Sequence, residues 1–451
     1  MNALLTALAL LLSAAILFIV PAAGGSALVV CILFAVPAGL FISRTGSDKN
    51  FLLQLFFGAL LVRIAVGTTI YFLNLQEFFG GDAYTYDIFG NALLKVWQGD
   101  KSYNYLVNMF VGSAAGSGWG MLYMVASVYG IAGRNMLAVQ FFNSVLGAAT
   151  APVIFLCAQH IYRNHRVSRI AALAAAFYPS LVLWSSQGLK DGPIVFCLAI
   201  SILATLHLSE KVTISSLLML LGALLALLSL RFYIFYMMVA ANVGAFLIGM
   251  RQASARSIAQ QFVVILTLGL ALTYLGVLRT AGLQFETYGN LEMLQNSRLD
   301  LQQTANSGFG KDVDLSTTSG ALSTIPSGLA YLLFAPFPWQ LGSLRQSITL
   351  PEMVIWWVSF PLLVLGLWFT IKYRLRQTLP ILIFTIMLTL AYSMFQGNVG
   401  TAYRQRSQLL VFYFIFAGVG YVILKERRED RRQQALISKR SAMLAGRRPV
   451  S

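Results

Sequence analysis

Apolar runs about as long as a bilayer is thick recur along the whole chain, and a sequence built this way has few folds open to it. A spanning helix needs about 20 mainly apolar residues. Runs of that kind cover residues 3–22, 26–42, 51–73, 136–158, 168–186, 192–208, 213–230, 232–250, 259–278, 352–371, 378–395 and 407–424. Backbone polar groups in hydrocarbon must be satisfied within their own segment, so each run reads as a helix. The expected fold class is all-α: a polytopic membrane helix bundle of about 12 transmembrane helices, with short interfacial helices in its outer loops. At 58% hydrophobic and 11% charged residues, the composition excludes an ordinary soluble domain. Pro21-Ala22-Ala23 resembles a signal-cleavage region, but no basic start precedes it, so the first run is read as an uncleaved helix.

Basic residues orient the helices. With the N-terminus in the cytoplasm and the spans alternating, most of the 32 Lys and Arg residues fall in inner loops and in the tail. Residues 1–424 then form the transmembrane domain, with outer segments at 74–135 and 279–351. Residues 425–451 form a basic cytoplasmic tail. The implied location is the plasma (cell inner) membrane, multi-pass, with both termini cytoplasmic. The net charge of +16 is thus a topological surplus that also attracts anionic membrane lipids, and it does not point to nucleic acid. Cys31, Cys157 and Cys197 lie inside spans, and His160, His165 and His207 lie at cytoplasmic helix ends. Neither set has zinc-site spacing, so no metal site is read.

The two outer segments carry further apolar stretches. Residues 119–131 are short for a span, so they read as a helix along the outer interface, with Trp119, Tyr123 and Tyr129 as interfacial aromatics. Residues 329–339 end in Pro336-Phe337-Pro338-Trp339, and two prolines around a phenylalanine rule out regular helix there. A shallow or re-entrant element is expected.

Charged residues gather at the outer ends of these helices. Gly80-Gly81-Asp82-Ala83-Tyr84-Thr85-Tyr86-Asp87 follows the third run. Lys190 and Asp191 occupy the next outer turn, Arg231 the one after, and Arg404 and Arg406 follow Gly397-Asn398. Ionisable groups at membrane depth usually face an interior cavity. Arginine and lysine there suit phosphate oxygens, and fixed cations stabilise a phosphate that gains charge as it departs. A carboxylate opposite can take the proton of an acceptor hydroxyl. Asp82 is therefore the candidate base. Asp87, Tyr84, Lys190, Asp191, Arg231, Arg404 and Arg406 are candidate substrate-binding residues. The plainer readings are a helix cap for Asp82, a solvent-facing site for Asp87, a turn ion pair for Lys190 and Asp191, and headgroup anchors for the arginines. Arg63, deep in the third run, is read as a structural residue with a partner inside the bundle.

On these residues the chain resembles the GT-C superfamily of polytopic membrane glycosyltransferases, such as the protein O-mannosyltransferases and the lipid A aminoarabinose transferase. The likeness rests on Gly81–Asp87, on Tyr178-Pro179-Ser180-Leu181 through Lys190-Asp191, on Phe334-Ala335-Pro336-Phe337-Pro338-Trp339, and on Gly397-Asn398 through Arg404-Gln405-Arg406. The last two are similar to segments of bacterial polysaccharide-cluster members. The resemblance implies a polyprenyl-phosphate-linked sugar donor, an extracytoplasmic glycan, lipid or protein acceptor, and inversion at the anomeric carbon. It also implies Asp82 as base and Asp191 as a supporting acid. No cofactor is implied, although a divalent metal stays open. The absence of an Asp-x-Asp or Glu-x-Asp pair in the first outer loop argues against a metal-dependent variant. The rival readings are a flippase or transporter for lipid-linked sugars, an O-antigen-type polymerase or ligase, and a structural assembly subunit.

Overall fold

The computed structural model describes residues 3–445 apart from 47, 114–117, 250–254 and a set of positions between 278 and 314. Its helices are α1 (Ala3–Ile19), α2 (Pro21–Ser43), α3 (Lys49–Phe72), α4 (Asp82–Trp97), α5 (Asn104–Ser113), α6 (Trp119–Ala132), α7 (Met136–Tyr162), α8 (His165–Phe177) and α9 (Pro179–Ser185). They continue with α10 (Asp191–Glu210), α11 (Ile214–Leu230), α12 (Phe232–Ile248), α13 (Ala255–Tyr274), α14 (Thr318–Phe334), α15 (Leu344–Tyr373), α16 (Leu375–Phe395) and α17 (Val399–Ala445). Among the described residues the chain forms no named strand. The fold is an all-α membrane bundle.

Local chemistry sets many of the helix starts. The Asn135 side chain accepts from the Leu137 and Ala138 amides and caps α7. Asn164, Thr213, Thr317 and Ser343 do the same for α8, α11, α14 and α15.

Among the described residues seven helices are long and apolar enough to cross a membrane, namely α2, α3, α7, α10, α15, α16 and α17. Counting the bent pair α8 and α9 as one span makes up to eight. The expected number of about 12 is not reached by length. Helices α1, α11 and α12 have 17 residues each, roughly 25 Å at 1.5 Å per residue, against a hydrocarbon core of about 30 Å. Helices α11 and α12 are separated by Arg231 alone.

The core lies on α7, α10 and α17, whose apolar windows are 78% buried, whereas that of α15 is only 22% buried and faces outward. Contact between α15 and α17 is close because glycine permits it. A Cβ on Gly366 would stand 1.8 Å from the Phe416 carbonyl oxygen, and one on Gly420 2.0 Å from that of Leu362. Small residues at such crossings let membrane helices pack backbone to backbone.

Two readings of the outer segments change. Helix α14 starts at Thr318, ahead of the stretch 329–339 read as a shallow or re-entrant element, and contains Pro326; the chain leaves helix only after Phe334. Helix α6 is built into the core through Gly120, Met121, Leu122, Val125, Ala126 and Val128, and Tyr129 is buried rather than interfacial. Past Leu424 the last helix simply continues to Ala445, and most of its side chains between Lys425 and Ser438 are exposed.

Charged side chains collect at opposite ends of the bundle. One end holds Asp48 against His165 and Arg169, Arg166 against Glu429, and His160 against Glu210. The other holds Asp82, Asp191, Arg231 and Arg404.

Candidate active site

The site begins with a tight turn before α4. Gly80 and Gly81 have φ of +132° and +71°, a region that favours glycine. Hydrogen bonds from Gly80 N to Glu77 O and from Gly81 N to Gln76 O close the turn. Asp82 is the first residue of α4, and no side chain caps this helix. Instead of capping, the Asp82 carboxylate accepts from Arg404 Nη1 at 2.7 Å.

Arg404 joins three distant parts of the chain. Its Nε donates to Asp191 Oδ2 at 2.7 Å, and its Nη2 stands 2.6 Å from the same oxygen. Its guanidinium carbon lies 5.6 Å from the centre of the Trp184 ring, which places a cation against an aromatic face. Arg231, from the break between α11 and α12, brings Nη2 to 3.7 Å from Asp191 Oδ1. Asp191 opens α10, where the helix N-terminus favours a negative charge.

The two carboxylates differ in access. The Asp191 side chain is fully buried, whereas that of Asp82 is 47% exposed. Only Asp82 is open to an incoming group. The Arg231 Nη1 atom is buried and has no hydrogen-bond partner among the described residues, which leaves a donor ready for an anion.

The turn carrying Lys190 and Asp191 is held from behind by α7, where Asn143 Nδ2 donates to the carbonyls of Gln187 and Leu189, both at 2.7 Å. Lys190 Nζ would lie 3.5 Å from a Cβ on Gly118, which puts the ammonium near the start of α6. Burial, with the Arg231 charge alongside, pushes that ammonium down to about 8. No ion pair joins Lys190 to Asp191 among the described residues, because Asp191 is engaged by Arg404 and Arg231.

Of the eight candidates, the structure groups Asp82, Asp191, Arg231 and Arg404, with Lys190 next to them. Three others are engaged elsewhere. Asp87 faces the opposite side of α4, where its carboxylate accepts from Arg134 Nη2 at 2.5 Å and from the Tyr129 hydroxyl at 2.6 Å. Asp87 is buried in that pairing, not solvent-facing. Tyr84 reaches Gln76 Oε1 at 3.5 Å within its own loop. Arg406 is fully buried and donates to the Leu333 and Ala335 carbonyls at the end of α14, so it is neither a headgroup anchor nor part of the cluster. Its neighbour Tyr403 is also buried and donates to Glu352 Oε2 at 2.6 Å.

Sequence reasoning passed over Tyr86 and Asn143. Tyr86 is buried beside the charged cluster, and burial together with the Asp82 charge raises its phenol. Its place one residue before Asp87 in the acidic motif was the available signal. Asn143 lies inside an apolar run, where a buried amide needs partners, and that alone marked it.

Fold and site together define a multi-pass helical membrane protein with an acid–base cluster at one end of its bundle. A family model described as "Dolichyl-phosphate-mannose-protein mannosyltransferase" matches residues 118–276, a segment that holds Lys190, Asp191 and Arg231. The likeness to the GT-C superfamily of membrane glycosyltransferases stands on that segment. No curated protein matches the chain. Among solved structures, the archaeal oligosaccharyltransferase AglB from Archaeoglobus fulgidus, in complex with an inhibitory peptide and a dolichol-phosphate, aligns at 13% identity with a TM-score of 0.42. That alignment covers 71% of this chain and 43% of the other, so the present chain spans less than half the length of that relative.

Proposed function

We propose that the protein is a membrane glycosyltransferase that moves a sugar from a polyprenyl-phosphate-linked donor to an acceptor outside the cytoplasm. The carrying observation is the pairing of an accessible carboxylate, Asp82, with a buried Asp191–Arg404–Arg231 assembly beside Lys190.

In the reaction the bond between the anomeric carbon and the donor phosphate oxygen breaks, and its electron pair leaves with the phosphate. An acceptor hydroxyl oxygen forms the new glycosidic bond, and its proton passes to Asp82. The phosphate gains negative charge as it leaves, and Arg231 and Lys190 are preorganised to receive it, with no reorganisation at the moment of reaction. Asp191 holds Arg404 and Arg231 in place. Attack on the face of the anomeric carbon away from the departing phosphate gives inversion. The acceptor is a glycan, lipid or protein hydroxyl, and Asp87, Tyr84 and Arg406, engaged in contacts outside the cluster, have structural roles.

The site lies on the outer face of the plasma membrane, with residues 1–424 forming the enzyme and 425–451 a cytoplasmic tail. The basic residues at the Asp48–Arg169 end support that orientation under the positive-inside rule. Purified protein incubated with labelled polyprenyl-phosphate sugars tests the reading. Release of polyprenyl phosphate with transfer of label, lost on Asp82→Asn, is expected. Movement of intact donor across vesicles without cleavage would replace this reading with a flippase.

A further inference from the structure

The break between α8 and α9, and the turn that leads on to Asp191, are held by a residue outside the charged cluster. Pro179 has no N–H, so the carbonyl of Ala175, four residues earlier, loses its helical donor. The two helices bend by 52° at this point. Arg63, fully buried on α3, supplies replacement donors: Nη1 reaches Ala176 O at 2.7 Å, and Nη2 reaches Ala175 O at 3.4 Å.

The same guanidinium grips the far end of α9. Arg63 Nε donates to Ser185 Oγ at 2.8 Å, and that hydroxyl donates in turn to Leu181 O at 2.6 Å. Space around this contact is closed. A Cβ on Gly147 would stand 2.4 Å from Ser185 Cβ and 2.9 Å from Arg63 Nε, and one on Gly192 would stand 3.2 Å from Ser185 Cα. Arg63, Trp184, Ser185, Asp191 and Gly192 line one narrow cleft. Ser185 thus sits between Trp184, whose ring faces Arg404, and the turn that ends at Asp191.

A cation inside a spanning helix is costly unless its surroundings compensate it. Here the compensation is three main-chain carbonyls, those of Ala175, Ala176 and, in its own helix, Ala59, together with a serine, and among the described residues no carboxylate forms an ion pair with Arg63. A greasy side chain would fill the space more cheaply if packing alone mattered.

We propose that Arg63 is a positioning residue for the site. By tying α9 to α3 at Ser185, it sets where Trp184 and Asp191 stand, and through them where Arg404 points. The proposal rests on the catalytic reading of the Asp82–Arg404 cluster.

The test uses Arg63→Lys, which keeps the charge but cannot serve both carbonyls and Ser185 from one ammonium. Per folded molecule, kcat should fall by about 10- to 100-fold while the donor KM stays within about twofold. Ser185→Ala removes a single contact and should cost roughly 2- to 10-fold in kcat. The effect of Arg63→Lys should be non-additive with Asp191→Asn.

A second readout needs no catalysis. In full-length protein lacking Cys31, Cys157 and Cys197, a Gln187→Cys substitution places a thiol at a buried turn position. Maleimide labelling there should be slow with Arg63 present and at least about tenfold faster with Arg63→Lys, as the turn opens more often. A folded Arg63→Lys protein with wild-type kcat and unchanged labelling overturns the inference. If that variant does not fold, Ser185→Ala decides, and wild-type kcat with protected thiol overturns it equally. If the unsubstituted protein cleaves no polyprenyl-phosphate sugar, the functional reading fails, and the labelling arm alone decides whether Arg63 holds the turn.

Discussion

Asp82→Asn separates a proton acceptor from a structural aspartate, because the two roles predict effects of different size. Asparagine keeps the shape of the side chain and can still accept a hydrogen bond from Arg404 Nη1, now 2.7 Å from Asp82 Oδ2. The ion pair it weakens is half exposed on the Asp82 side, and pairs of that kind contribute about 0–1 kcal/mol to stability. Arg404 stays anchored by its two contacts to Asp191, so the cluster survives the change. Thermal unfolding in detergent should therefore move by a few degrees at most. A lost general base costs about 10²- to 10⁴-fold in the chemical step, or roughly 2.7–5.5 kcal/mol of activation free energy. The two effects differ by several-fold in free energy and are read on different instruments. Single-turnover release of polyprenyl phosphate, normalised to folded protein, is the assay. Asp82→Ala should behave like Asp82→Asn, because no side chain caps α4. Asp82→Glu should recover little, since the added methylene displaces the carboxylate. A well-folded Asp82→Asn protein with wild-type turnover refutes the reasoning and removes Asp82 as the base.

Three further outcomes follow from the same geometry. Lys190, held down to about 8, loses its proton as pH rises through that value, so kcat/KM for the donor should be level below it and fall above; Lys190→Arg, charged throughout, should remove that alkaline limb, and an identical limb in the variant would clear Lys190 of donor binding. Asp87→Ala leaves the buried Tyr129 hydroxyl without its acceptor and should lower stability by about 1–3 kcal/mol while activity per folded molecule stays unchanged; a selective loss of donor affinity would return Asp87 to the substrate site. Single cysteines at Ser102 and Ser438, both exposed, should label from opposite sides of the membrane in intact cells, and labelling from one side would overturn the assigned orientation.

Much of this protein was legible in its sequence because the bilayer makes strong demands on local composition. Apolar length decided which segments are helical. The run at 168–186 read as one span, whereas Pro179 breaks it into α8 and α9 at a 52° bend. The residues of the cluster were also visible, since charges at the ends of apolar runs stand out against their surroundings. The number of spans was less legible. Hydropathy does not say whether α11, α12 and the single arginine between them cross separately or make one interrupted passage.

What only the tertiary structure decided is which charge meets which. Asp82 and Asp87 lie five residues apart on one helix, more than a full turn, and so present different faces. One meets Arg404, 322 residues away, and the other meets Arg134. Arg404 and Arg406 are two residues apart on α17, which also turns them to different neighbours, one to the carboxylates and the other to the carbonyls ending α14. Arg63 read as structural from its depth, but its hold on the α8–α9 break could not be seen, because its partners are main-chain carbonyls that every residue carries. Composition determines what must be buried and where the chain must bend. Partner choice is settled by the angular phase of helices distant in sequence, and no local pattern encodes it.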